Sequence, residues 1–397
     1  MNGSIPNGYR KRNDAAGAGR RLFRMIPWPS LTIVWSHRRA AITRSIALAI
    51  TFSVTLASGA QAQWSTRNPG TDASFRGMSV VDSNVVWISG TRATFAWSND
   101  AGRSWHPGNV AAARSFDFRA VHAFSLDTAL LMVSAQDTAL IYRTTDRGRT
   151  WTLQYHDESK GAFLDGMAFF DSRHGLAVGD PMNGRFVILE TKDGGRHWSR
   201  IPDAGLPPAL PGEGAFAASG TSLVTCGPKD AWLGTGGAAS SRVFHSSDGG
   251  RNWWVVETPI KAGVAAAGIF SLACRDTRHL VAVGGNYAKP DASAVTVARS
   301  DDGGSTWIAA APQPSTGFLS GVAYLDARKT GKQLIAVGTE GTSFSLDSGV
   351  TWSRLDSLSL NVVMSGTNGT VMAAGAHGKV AILSGLHTGV KIGKRLP

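Results

Sequence analysis

SSDGGRNWW, residues 246–254, gathers a carboxylate, two glycines, an arginine and paired tryptophans into nine positions. Such a set could hold a sugar, a phosphate or a metal, or it could be a turn between two strands. Its recurrence decides between them. SNDAGRSW (98–105), TTDRGRTW (144–151), TKDGGRHW (191–198), SSDGGRNW (246–253), SDDGGSTW (300–307) and SLDSGVTW (345–352) share the pattern Ser/Thr-x-Asp-x-Gly-x-x-Trp. The aspartates Asp100, Asp146, Asp193, Asp248, Asp302 and Asp347 are separated by 46, 47, 55, 54 and 45 residues. A fixed period of this size is the mark of a repeat architecture.

The text upstream of each motif repeats as well. GMAFFDSRHGLAVGDPMNGRFVILETKDGG holds three short runs of β-type residues broken by Gly, Asp and Asn, with no sustained helical period. With a fourth run starting at the motif tryptophan, each unit has four strands. That is a propeller blade, and the fold class is all-β. A seventh unit, NVVMSGTNGTVMAAGAHGKVAILSG (361–385), keeps three strands and lacks the motif; QWSTRNPG (63–70) is expected to supply its fourth strand and close a seven-bladed ring. Closure removes most exposed sheet edges.

In such a blade the motif is the turn between the third and fourth strands. Gly250 supplies a positive φ, Ser246 and Asp248 bond the turn backbone, and Trp253 buries its ring between sheets. The same structural role is expected for Trp105, Trp151, Trp198, Trp307 and Trp352 with their aspartates. Six copies with one chemistry indicate six identical turns, whereas a binding site would vary between copies. Trp254 has no counterpart in the other copies, and its role stays open.

The chain has 397 residues and a formal charge of +12. Nine of the 40 basic residues and one of the 28 acidic ones fall in the first 62, leaving 31 against 27, or +4, for the rest. That balance, with no basic stripe, speaks against a nucleic-acid partner. The first 62 residues read as an export leader, with translation starting at Met1 or Met25. SHRRAAITRS (36–45) is basic, IALAITFSVTLA (46–57) is apolar, and Ala60-Gln61-Ala62 fits a signal-peptidase site. The apolar run of 12 is short for a membrane span, which needs about 20 residues. The expected organisation is therefore a leader (1–62), one propeller domain (63–385) and a short tail (386–397). The mature chain is expected to be periplasmic or secreted, monomeric and without a membrane span. An exported location permits a bridge between Cys226 and Cys274, but with only two cysteines the favoured reading is two buried thiols.

The repeats are those of the Asp-box, or BNR repeat, found in sialidases, xyloglucan-degrading hydrolases and sortilin-type receptors. Over residues 63–385 the chain resembles the photosystem II stability/assembly factor family of exported seven-bladed propellers. DGMAFFDSRHGLAVGDP, GRFVILETKDGGRHW and GEGAFAASGTSLVTCGPKDAWLGTGG look like its non-photosynthetic bacterial branch. The resemblance implies a non-enzymatic platform that binds a protein of the cell envelope and assists assembly of a membrane complex.

If the Asp-Gly turns mark one face as structural, binding residues belong on the other. Arg76 in SFRGMS, Arg119 in DFRAVH and Asp165 in FLDGMA take equivalent places at the start of successive inner strands. The insertion PDAGLPPALPGEGAFAASG (202–220) brings Glu213, GDPMNG (179–184) brings Asp180, and GGNYAKPDASA (284–294) brings Asn286, Tyr287, Lys289 and Asp291. The arginines suit an anion, since guanidinium forks match carboxylate or phosphate. The alternative is a glycoside hydrolase acting on a glycan, with Asp165 and Glu213 as its two carboxylates. Its sialidase form is disfavoured: Arg200-Ile201-Pro202 follows the third motif rather than preceding the first, and tyrosines are few. Scattered histidines without ligand spacing give no metal site, and no phosphate or dinucleotide fingerprint implies a cofactor.

Overall fold

The computed structural model describes residues 63–290, 293–325, 331–366 and 369–384. The leader, the tail and Asp291 lie outside them. The described residues form seven four-stranded antiparallel sheets, each taking its strands in chain order from the axis outward. The inner strands are Phe75–Val80, Phe118–Ala123, Gly166–Phe169, Leu223–Cys226, Ala267–Cys274, Gly321–Tyr324 and Val362–Ser365. Each touches the inner strands of both neighbours, and blade 7 meets blade 1. The chain is an all-β, seven-bladed propeller. Its last sheet is completed by Gln63–Arg67, which pairs antiparallel with Val380–Ser384.

Seven apolar cores lie between adjacent blades, one at each joint. The motif tryptophans fill six of them, each from its own blade toward the preceding one: Trp105, Trp151, Trp198, Trp253, Trp307 and Trp352. Blade 7 has no such turn. Its joint with blade 6 takes Trp64 from the closing strand instead, and the indole N–H donates to Thr342 of blade 6 at 3.4 Å.

All six turns share one hydrogen-bond set. The Ser or Thr hydroxyl donates to the aspartate at 2.8–3.0 Å and accepts the glycine N–H at 2.8–2.9 Å. The aspartate's second oxygen is met by the residue just before the tryptophan: Ser104, Thr150, His197, Asn252, Thr306 or Thr351, at 2.6–2.7 Å. That residue is polar in every copy, a fifth element of the pattern that the shorter consensus omits. These bonds hold the carboxylates ionised. For Asp146 the bonds from Thr150 bring it down to about 2. For Asp100, burial pushes upward, but the bonds from Ser104 and Ser98 outweigh it, again giving about 2.

Two successive residues of each turn have positive φ, as at Gly249 (+80°) and Gly250 (+89°). The second also faces the preceding blade. A Cβ on Gly250 would lie 2.7 Å from Leu176, and one on Gly148 2.5 Å from Phe95. The turn is thus a joint between blades as well as a link within one. Trp254 lies on the outer strand opposite His245, their rings 4.1 Å apart, and His245 stacks on Trp232 at 4.3 Å. Blade 1 makes the same outer stack from Trp97 and His106, at 4.0 Å. Trp254 is a cross-strand packing residue.

The two cysteines differ from expectation. Cys226 and Cys274 form a disulfide with their Cα atoms 6.3 Å apart. They end the inner strands of blades 4 and 5, so the bridge staples two neighbouring blades. A spacing of 48 residues is about one repeat, which is what brings equivalent strand ends side by side.

Candidate functional site

The two faces of the ring are fixed by hydrogen bonds. In each of the first six blades, a turn N–H donates to a carbonyl between the first and second strands, as Gly249 does to Lys229 and Arg147 to Asp127. The Asp-Gly turns and the ends of the inner strands therefore share one face. The starts of the inner strands, with Arg76, Arg119 and Asp165, lie on the other.

Arg76 and Arg119 are each the extra residue of a β-bulge. Phe75 and Gly77 pair with consecutive residues of the next strand, as do Phe118 and Ala120. Blade 5 repeats the device at Phe270. A bulge re-aims a side chain away from the regular alternation of the strand. Arg119 donates to the Ala217 carbonyl at 3.3 Å and pairs loosely with Asp117 at 3.5 Å, while its Nε is buried without a partner. Arg76 makes no hydrogen bond or ion pair among the described residues. Burial pushes its guanidinium below the usual range, the positive charge of Arg119 adds to this, and Asp117 opposes it. The two arginines are thus brought together, with Arg76 desolvated and both under-partnered.

The carboxylates take other places. Glu213 is enclosed: Arg242 binds both its oxygens, Thr235 donates to Oε1 at 2.6 Å, and the Leu210 N–H donates to Oε2 at 2.8 Å. It anchors the insertion to blade 4. Asp165 is 1 % exposed, and neither carboxylate oxygen has a hydrogen-bond partner. Burial, and then the charge of Asp180, raise it well above the usual carboxylate range. Asp180 is itself raised by burial, against the N–H of Ala215, which donates to it at 3.2 Å. Asp165 and Glu213 are both buried, Glu213 against Arg242, so neither carboxylate is exposed to a sugar as glycoside hydrolysis requires. Tyr287 is 55 % exposed beside Phe270 and Phe318, across the ring from the arginines. Asn286 is spent on the N–H groups of Ala288 and Lys289.

The insertion does more than carry Glu213. Gly214 bridges to Gly236, Phe216 stacks on Phe270 at 3.8 Å, and Thr221 bonds Ser271 of blade 5 at 2.7 Å. Gly220 reaches blade 2, where a Cβ would touch Ala120 at 3.3 Å. Residues 216–221 therefore cross the mouth of the central channel on the arginine side. Below them a cavity of about 210 Å³ remains, running toward the Asp-Gly face. Among the described residues, no group of three or more His, Cys, Asp or Glu side chains could hold a metal ion. No helix among them is long and apolar enough to cross a membrane.

No family model and no curated protein matches the chain. Solved structures do. YCF48 bound to D1 peptide is 15% identical, with a TM-score of 0.54, 80% of this chain and 94% of that chain covered. YCF48 from Cyanidioschyzon merolae is 17% identical, with a TM-score of 0.54 and coverage of 80% and 98%. An ancestral GH74 enzyme is 16% identical over 79% of this chain, with a TM-score of 0.55; the chain spans 45% of that protein. At these identities the likeness is one of fold, and the chain shares its propeller with YCF48 and with an enzyme alike.

Proposed function

We propose that the chain is an exported, non-enzymatic protein-binding platform that assists assembly of an envelope or membrane complex. Its ligand presents an anionic group to Arg76 and Arg119. The observation that carries this reading is Arg76, a desolvated guanidinium beside a second arginine and without a bond of its own. A carboxylate or phosphate placed between the two forks relieves their repulsion and supplies charge-assisted bonds. A propeller of the same fold is known bound to a peptide, which supports a polypeptide as the source of that group. The Asp-box turns leave the opposite face free for it.

The test is a pull-down from envelope extracts with the wild type and with Arg76→Ala/Arg119→Ala. The double variant, shown by circular dichroism to keep its fold, is expected to lose partners that the wild type retains. Arg76→Lys/Arg119→Lys keeps the charge without the fork and should recover them only in part. A folded double-alanine variant with an unchanged partner list removes the arginines from the function.

A further inference from the structure

The channel cavity opens on the face opposite the arginines, and its lining is distinctive. The inner strands contribute Met78, Val121, His122, Met167, Phe169 and Met364, and Ser219–Thr221 of the insertion form its floor. No Asp, Glu, Lys or Arg lines it. His122 stacks on Phe169 at 4.3 Å and meets the edge of Phe124 at 4.8 Å. Its ring nitrogens make no hydrogen bond to any described residue. His122 is half-buried, and its ring nitrogens therefore offer the cavity a hydrogen-bond donor and an acceptor that no described residue takes.

We propose that this cavity is a binding site for a small neutral molecule: a single apolar ring bearing one hydrogen-bonding group addressed to His122. Size sets the ring count. A dry cavity of about 150 Å³ holds benzene, so about 210 Å³ takes one substituted ring and excludes larger polycyclic bodies. Chemistry sets the body. Methionine sulfur and Phe169 both favour an aromatic face, and the methionines adapt to its outline. Charge sets neutrality. Desolvation brings the His122 imidazole down to about 4, so it is uncharged near neutral pH, and nothing else on the wall compensates an ion. A neutral imidazole both donates and accepts, which suits a phenolic hydroxyl or an indole N–H.

Phenol and indole serve as neutral probes, toluene as the apolar control and benzoate as the charged one. Binding is followed by the His122 ring signals in nuclear magnetic resonance and by calorimetry on the chain beginning at Gln63. Phenol and indole are expected to shift His122 saturably, toluene to bind more weakly, and benzoate at least tenfold more weakly than phenol. His122→Phe keeps the stack on Phe169 and should weaken phenol about tenfold, the equivalent of one hydrogen bond, without affecting toluene. Ala168→Leu narrows the cavity from blade 3 and should abolish binding of both, which reads the site independently of any change at His122. Absence of a saturable shift with either neutral probe overturns the proposal. So does benzoate binding as tightly as phenol, or equal loss of phenol and toluene in His122→Phe.

Discussion

Gly250→Ala separates a turn from a joint. At φ +89° an alanine pays about 1–2 kcal/mol of left-handed strain, of which about 0.4–1 kcal/mol returns through the stiffer unfolded chain. Its Cβ would also stand 2.7 and 2.9 Å from the two methyl carbons of Leu176. Leu176 is fully buried in the core between blades 3 and 4, so its methyls have little room to move. Overpacking of that kind costs about 1–3 kcal/mol, giving a net loss of about 2–4 kcal/mol. Gly249→Ala is the control. It carries similar strain at φ +80°, but its Cβ meets only the tip of the His174 ring, at 2.9 Å, and it should cost about 1 kcal/mol. Urea unfolding followed by tryptophan fluorescence and circular dichroism measures both. Leu176→Ala alone should cost about 2–5 kcal/mol, and in combination it vacates the space the new methyl needs. The double variant should therefore be less destabilised than the sum by about 1–2 kcal/mol. Additivity within about 0.5 kcal/mol, or equal losses for the two glycines, would refute the joint.

Two further predictions concern the interior. Cys226→Ser/Cys274→Ser removes a link that closes a 48-residue loop, and chain entropy puts the loss at up to about 4 kcal/mol; urea unfolding of the oxidised wild type against the variant measures it, and equal midpoints would show the bridge to be energetically idle. Asp165→Asn tests the buried carboxyl through pH. Its folded-state pKa is raised, so stability is greatest below the unfolded value near 4 and is lost as pH climbs toward the folded value. Over that window the variant should gain on the wild type by about 1.4 kcal/mol per pH unit. A difference between them that stays flat from pH 4 to pH 8 would show that Asp165 is not held neutral.

The fold was legible because a turn is local. Ser246, Asp248, Gly250 and Trp253 lie within eight residues, and their chemistry repeats wherever the backbone repeats. The closing strand was legible for a related reason, since blade 7 lacks one strand and the stretch from Gln63 has the composition of one. The use of Trp64 as the seventh joint's tryptophan follows from the same logic, but no motif surrounds it to announce it. The site was legible only in part. Equivalent positions in successive blades place Arg76 and Arg119 together, yet nothing in SFRGMS or DFRAVH signals a bulge, which depends on the register of the next strand. The surroundings of Glu213 and Asp165 were not legible for a different reason. The path of the insertion decides what each meets, and Arg242 and Asp180 are 29 and 15 residues away in sequence. The cavity was invisible, because an open space lined by five inner strands at once belongs to no stretch of sequence.

The seventh joint bears on how the chain becomes a ring. The first described strand, Gln63–Arg67, has no lasting partner until Val380–Ser384 exists, with Ser384 donating back to Gln63 across 321 residues. Five joints can form in order as each of blades 2–6 presents its tryptophan to the one before it. The two joints of blade 7, filled by Trp64 toward blade 6 and by Trp105 of blade 1, wait for its strands. Without Val380–Ser384, both Gln63–Arg67 and Val371–Ala374 lack a strand partner, leaving two sheet edges open at one seam. Closure of the ring thus ties the folding of the first described strand to that of the last.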